Sequence, residues 1–92
     1  PRHGLENASL IALFNWDEAT FLQRTEGSAI RRLGHERWLR NLAVALGNGP
    51  ADTEAIEALR ERLHHPSAMV CEHVRWALER LTGGESAQLT QP

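Results

Sequence analysis

Residues 24–40 carry five arginines, Arg24, Arg31, Arg32, Arg37 and Arg40, against two glutamates, while the rest of the chain sets five arginines against ten acids. A guanidinium is a planar fork of N–H donors that matches paired phosphate oxygens, so such a cluster suits a polyanion. Two readings compete. One is a solvated face partly neutralised by Glu26 and Glu36; the other is a surface for nucleic-acid phosphates, which would position a strand without reading its sequence. Asn41 follows Arg40 and can bond a base edge, whereas Asn48 lies just past a helix end and reads as a C-terminal cap. Upstream, Thr25, Gly27 and Ser28 place hydroxyls and free N–H groups at a helix start, which is a seat for a phosphate. Trp38 falls on an apolar face and belongs to the core. Trp16 and Trp76 stand nearer the flanks and are open to base stacking.

Other chemistry is harder to find. His64, His65, His73 and Cys71 suggest a metal site, but Cys71 and His73 are two apart on a helix and point about 200° away from each other. His64 and His65 diverge likewise, and His73 falls on an apolar stripe. No metal ligand and no catalytic residue is assigned, because no carboxylate pair, Ser-His-Asp arrangement or glycine-rich phosphate loop occurs. The lone Cys71 excludes an internal disulfide, a zinc ribbon or an iron–sulfur cluster held by this chain's own cysteines.

A chain of 92 residues with a net charge of −2 makes one small domain and argues against uniform coating of nucleic acid. All ten basic residues are arginine, which a GC-rich genome alone can account for. No apolar run approaches ~20 residues and no signal peptide opens the chain, so the expectation is a cytoplasmic protein with no membrane contact. Starting at Pro1-Arg2-His3-Gly4 without Met, the sequence reads as a piece of something longer.

Helix formers dominate, Tyr is absent and β-branched residues are few, which predicts an all-α fold of about five helices. Asn7 or Ser9 caps a short first helix that Asn15 ends; Asp17 opens the second. Gly27 and Ser28 interrupt, residues 29–33 give about one turn, and Gly34 breaks it. The main helix runs from His35 to Leu46 and stops at Gly47-Asn48-Gly49-Pro50. Its apolar face holds Trp38, Leu39, Leu42, Ala43, Ala45 and Leu46; its polar face holds Arg37, Arg40 and Asn41. Asp52 caps the fourth helix, with Ile56, Leu59 and Leu63 inward. His65-Pro66-Ser67 opens the fifth, with Val70, Val74, Ala77, Leu78 and Leu81 inward. The domain is expected over residues 1–82, and residues 83–92 read as a flexible tail. Sliding the chain by 32 residues sets Trp38 on Val70, Leu42 on Val74 and Ala45-Leu46 on Ala77-Leu78, the pattern of two stacked helix pairs in an α-solenoid.

The block from Phe21 to Asn48, "FLQRTEGSAIRRLGHERWLRNLAVALGN", with "LFNWDEATFLQR" leading into it and "HPSAMVCEHVRWAL" after it, resembles the C-terminal region of the epoxyqueuosine reductase family. The resemblance covers roughly residues 4–80, and its most specific part is TEGSAIRR. It implies a HEAT-type helical repeat, an α-solenoid fragment, packed against catalytic and iron–sulfur domains upstream. That family reduces epoxyqueuosine to queuosine at the tRNA wobble position, using cobalamin and two [4Fe-4S] clusters, none of them bound by this segment alone. Similar sequences usually carry Arg at the position of Cys71, so basic contacts from the last helix are not expected. By this resemblance Arg24, Arg31, Arg32, Arg37, Arg40 and Asn41 face a tRNA anticodon arm, with Thr25, Gly27 and Ser28 as an added phosphate seat. The competing readings are a stand-alone HEAT-type interaction module and a brace whose arginines contact the parent's own catalytic domain.

Overall fold

The computed structural model describes residues 2–83, so nearly all of the expected tail lies outside the described residues. Five α-helices and one 3-10 helix follow one another: α1 (Arg2–Phe14), α2 (Glu18–Arg24), the 3-10 helix (Ala29–Leu33), α3 (His35–Gly47), α4 (Thr53–Glu61) and α5 (Ala68–Leu81). Among the described residues there is no strand, and no helix is long and apolar enough to cross a membrane. The fold is all-α, as the composition predicts.

Three helix starts carry the side-chain caps that the sequence announces. Asp17 accepts from the Thr20 N–H at 2.8 Å, Ser28 from the Ile30 N–H at 3.1 Å, and Ser67 from the Val70 N–H at 3.3 Å. Between the 3-10 helix and α3 the chain turns at Gly34 with φ 88°, a conformation that favours glycine.

α3 is the central helix, in contact with α1, α2, the 3-10 helix and α5, and its most extensive partner is α5. Leu39, Leu42, Ala43 and Leu46 of α3 meet Val70, Val74, Ala77 and Leu81 of α5 within one core, which α1 enters through Phe14 and α4 through Ala55, Ala58 and Leu59. The apolar steps on α3 and α5 thus face inward as their spacing predicts. On α4 the weight shifts: Ile56 is only partly buried, Leu63 lies past the end of the helix and is partly buried too, and Ala55 and Ala58 take the interior positions. Small side chains there let α4 lie close against its neighbours.

Two helix boundaries differ from expectation, each because of a contact distant in sequence. Asn7 does not cap α1 but lies within it, buried, and its Nδ2 donates to Asp52 Oδ2 at 2.7 Å. Asp52 therefore stands at the N-cap position of α4 without a side-chain cap bond of its own. Gly47 does not stop α3; it is the buried last residue of the helix, and Asn48 is the C-cap. A Cβ at Gly47 would lie 2.8 Å from Trp76 Cζ3 and 3.0 Å from the Ala77 Cα, so glycine is what lets α5 approach.

Candidate nucleic-acid interface

The helix that carries the basic edge is fixed at its first turn. The carbonyls at and just past the end of α1 have no helical N–H to accept; Leu13 O takes the Trp16 N–H at 3.2 Å, and side chains from α3 and from the end of α4 supply the further donors. Trp38 Nε1 donates to Leu13 O at 3.2 Å. The His35 Nε2–H donates to Trp16 O at 2.9 Å, since a carbonyl can only accept. Arg62 gives Nη2 to Trp16 O at 2.9 Å and to Phe14 O at 3.3 Å, with its guanidinium 5.8 Å from the Phe14 ring centroid. A cation at a helix C-terminus also opposes the negative end of the helix dipole. Rings close the cluster: Trp16 stacks on Trp38 at 5.5 Å with the planes 13° apart, and Phe21 meets Trp38 at 5.2 Å. Trp38 is thus a half-buried wedge against the core, and Trp16, which stood open to base stacking, is occupied by Trp38.

Nothing in the sequence set Arg62 apart from its neighbour Arg60; only the fold brings it onto carbonyls 46 and 48 residues away in the chain. Arg80 plays the same part for α3: its Nε donates to Gly47 O at 3.1 Å while its guanidinium covers the Trp76 ring at 5.3 Å.

The expected phosphate contacts lie outward from this anchor. Arg24 ends α2, Arg31 and Arg32 sit on the 3-10 helix, and Arg37 is on α3; all four are exposed. Gly27, Ser28, Ala29, Arg31 and Arg32 line one open concavity of ≈ 580 Å³. Two expected contacts are more committed. Arg40 is half-buried, its Nε donating to Asn41 Oδ1 at 3.1 Å and its Nη1 lying 3.8 Å from Met69 Sδ of α5. Thr25 is buried and its hydroxyl donates to Phe21 O at 2.7 Å, so that hydroxyl is withdrawn from the expected phosphate seat at Gly27 and Ser28. Ser28 Oγ, which caps Ile30, is itself engaged. Exposed Ile30 stands beside Arg31, an apolar element of this edge that charge counting misses.

Two ionisable groups near the anchor are shifted. The hydrogen bond from Thr20 holds the Asp17 carboxyl below its ordinary 3.8. Burial, with Arg62 and His35 nearby, lowers His65 below 6.5; its Nδ1 accepts from the Ser67 N–H at 3.0 Å and must be unprotonated to do so. Cys71, half-buried, lies with Sγ 2.8 Å from His65 O, and His73 Nδ1–H donates to Met69 O at 2.8 Å. Among the described residues no three His, Cys, Asp or Glu side chains converge as a metal site.

Fold and surface together define a small all-α module with an arginine-rich edge held on a clamped helix. No protein-family model matches the chain, and no solved structure does. Curated relatives do match. The chain is 60% identical over 80 residues to the epoxyqueuosine reductase of Pseudomonas aeruginosa, 61% over 77 residues to that of Xanthomonas campestris, and 54% over 79 residues to that of Escherichia coli. These matches cover 87%, 84% and 85% of this chain and 22%, 22% and 20% of the relatives. By sequence the chain is thus similar to a segment of the epoxyqueuosine reductases, and it spans about a fifth of the length of the curated relatives it matches.

Proposed function

We propose that this chain is the helical-repeat segment of an epoxyqueuosine reductase and that it lends its basic edge to the anticodon arm of tRNA while packing against the rest of that enzyme. The observation that carries the reading is the exposure of Arg24, Arg31, Arg32 and Arg37 along α2, the 3-10 helix and α3, beside a concavity that two of them line. Such an edge binds backbone phosphate and positions an RNA, leaving sequence to be read elsewhere. The 32-residue offset, with Leu42 and Val74 both buried at equivalent places on two packed helices, supports HEAT-type stacking.

Reduction of the modified base belongs outside this chain. A [4Fe-4S] cluster is held by four thiolates, and the only thiol here, Cys71, is turned onto the His65 carbonyl; the residues present do not fit a cluster. Nor, among the described residues, do the four concavities at hand, all open to solvent, resemble an enclosed pocket for cobalamin. The contribution of this segment is binding and positioning.

Filter binding of an anticodon stem-loop across a salt series tests the reading. Arg37→Ala is expected to weaken binding and to make the log–log salt slope shallower by about 0.7, the value for one single-strand phosphate contact. A slope unchanged in this variant, with folding intact, removes Arg37 from the contact set. The exposed apolar side chains Leu22 and Ile30 favour a second role for the same edge, as a brace against the parent's catalytic domain. On that role the arginine variants lose domain docking and leave RNA affinity unchanged.

A further inference from the structure

The phosphate edge does not absorb Trp76, whose ring is 39% exposed on α5. With Val44, Glu72 and His73 it lines a largely apolar pocket of ≈ 400 Å³ between α3 and α5. One side of the ring is held in place, because its Cζ3 lies over Gly47 and Arg80 covers it at 5.3 Å. The ring therefore presents a flat apolar surface to the pocket. The polar atoms at the pocket are acceptors: the Glu72 carboxylate, and His73 Nε2, since the His73 Nδ1–H is spent on Met69 O. A flat group with N–H donors on its edge suits these walls, and a phosphate does not.

The pocket is continuous with the basic edge. Arg37, Asn41 and Val44 follow at steps of four and three along α3 and so share a face. Arg40 reaches from that face to Met69, whose carbonyl holds His73. Cation and aromatic pocket thus lie side by side on one surface, as anionic phosphate and flat base do along an unpaired RNA strand.

We propose that the α3–α5 pocket seats an unstacked RNA base on Trp76, next to a phosphate held at Arg37 and Arg40. The proposal rests on the RNA reading above and adds a base subsite to it. Glu72 and His73 Nε2 accept from the base edge, and the Glu72 charge keeps the backbone at the arginine end.

The test compares a short single-stranded cytidine oligonucleotide with an abasic strand of the same length, both titrated into the full 92-residue chain while tryptophan fluorescence is followed. The base-bearing strand is expected to bind on the order of ten-fold more tightly and to quench the emission of Trp76. Trp76→Ala should erase that preference and leave the salt slope unchanged; Trp76→Phe should keep most of the preference and lose the quenching. Glu72→Gln, on an exposed residue, should reduce the preference while the fold stays intact. Equal binding of the two strands to the wild-type chain, with a slope that still depends on Arg37, overturns the base subsite and leaves the phosphate reading standing. Absence of binding by either strand overturns both. A preference that survives Trp76→Ala, Trp76→Phe and Glu72→Gln alike overturns the subsite and places base recognition away from this pocket.

Discussion

Arg62 and Arg31 carry the same guanidinium to opposite ends of the chemistry. Around Arg62 the carbonyls at the end of α1 are engaged: its Nη2 serves two of them, His35 shares one, and Trp38 takes a third. Around Arg31 the side chain is exposed above an open concavity, and only the backbone of the 3-10 helix is tied down. The contrast separates two uses of arginine that composition merges. At the α1 end the charge closes a helix terminus and joins three helices; on the 3-10 helix it is left exposed. Fixing the first turn of α3 also fixes where Arg37 points, so the committed cluster positions the uncommitted one.

The largest expected effect is at the committed end. Trp38→Ala removes the ring packed between Trp16 and Phe21 together with a hydrogen bond to Leu13 O, and is expected to cost about 3 kcal/mol of a total of roughly 5–15 kcal/mol. Thermal or urea unfolding measures it, and a loss below that of Arg37→Ala would contradict the assignment of the two α3 faces. Next comes Arg62→Ala, which strips the charged donor from two carbonyls. The expected loss is roughly 1.5–3 kcal/mol, with RNA affinity retained in whatever fraction stays folded. If this variant melts like the wild type, the guanidinium is not what ties the end of α4 to the end of α1.

A smaller effect is set by pH. The folded-state pKa of His65 lies below its unfolded value of 6.5, so the unfolded chain binds the proton first. The His65 contribution is complete above that value and is lost as pH falls from 6.5 through the depressed folded value. Asp17, lowered from 3.8, adds a separate loss only at more acidic pH. Melting at about pH 7 and about pH 5 should show destabilisation on acidification. His65→Asn keeps an acceptor for the Ser67 N–H but does not titrate there, and should flatten the change. An equally steep decline in the variant would place the titration on another group.

Much of the architecture is legible from local signals, and the exceptions share one cause. Asp17, Ser28 and Ser67 bond to N–H groups two or three residues away, so their caps are readable without a fold. Asn7 has the chemistry of a cap, yet its partner Asp52 is 45 residues away, and no local rule signals that pairing. Gly47 reads as a terminator until Trp76 is packed over it. At the surface, charge counting locates Arg24, Arg31, Arg32 and Arg37 as exposed groups but passes over Arg62, and the helix-start reading places Thr25 at a surface where it is buried. Ala55 and Ala58 are core residues whose small size hides them from a search for large apolar steps.

The least expected change in stability accompanies the sharpest test of function. Arg31→Ala with Arg32→Ala alters two exposed side chains and should shift stability by less than about 0.5 kcal/mol for each. The decisive measurement is the salt dependence of anticodon stem-loop binding by this double variant beside the wild type. If the exposed arginines hold phosphates, the log–log slope of the double variant is shallower by about 1.4, two contacts at roughly 0.7 each, while its melting is unchanged. An unchanged slope with intact folding would contradict the claim that this edge is the RNA surface.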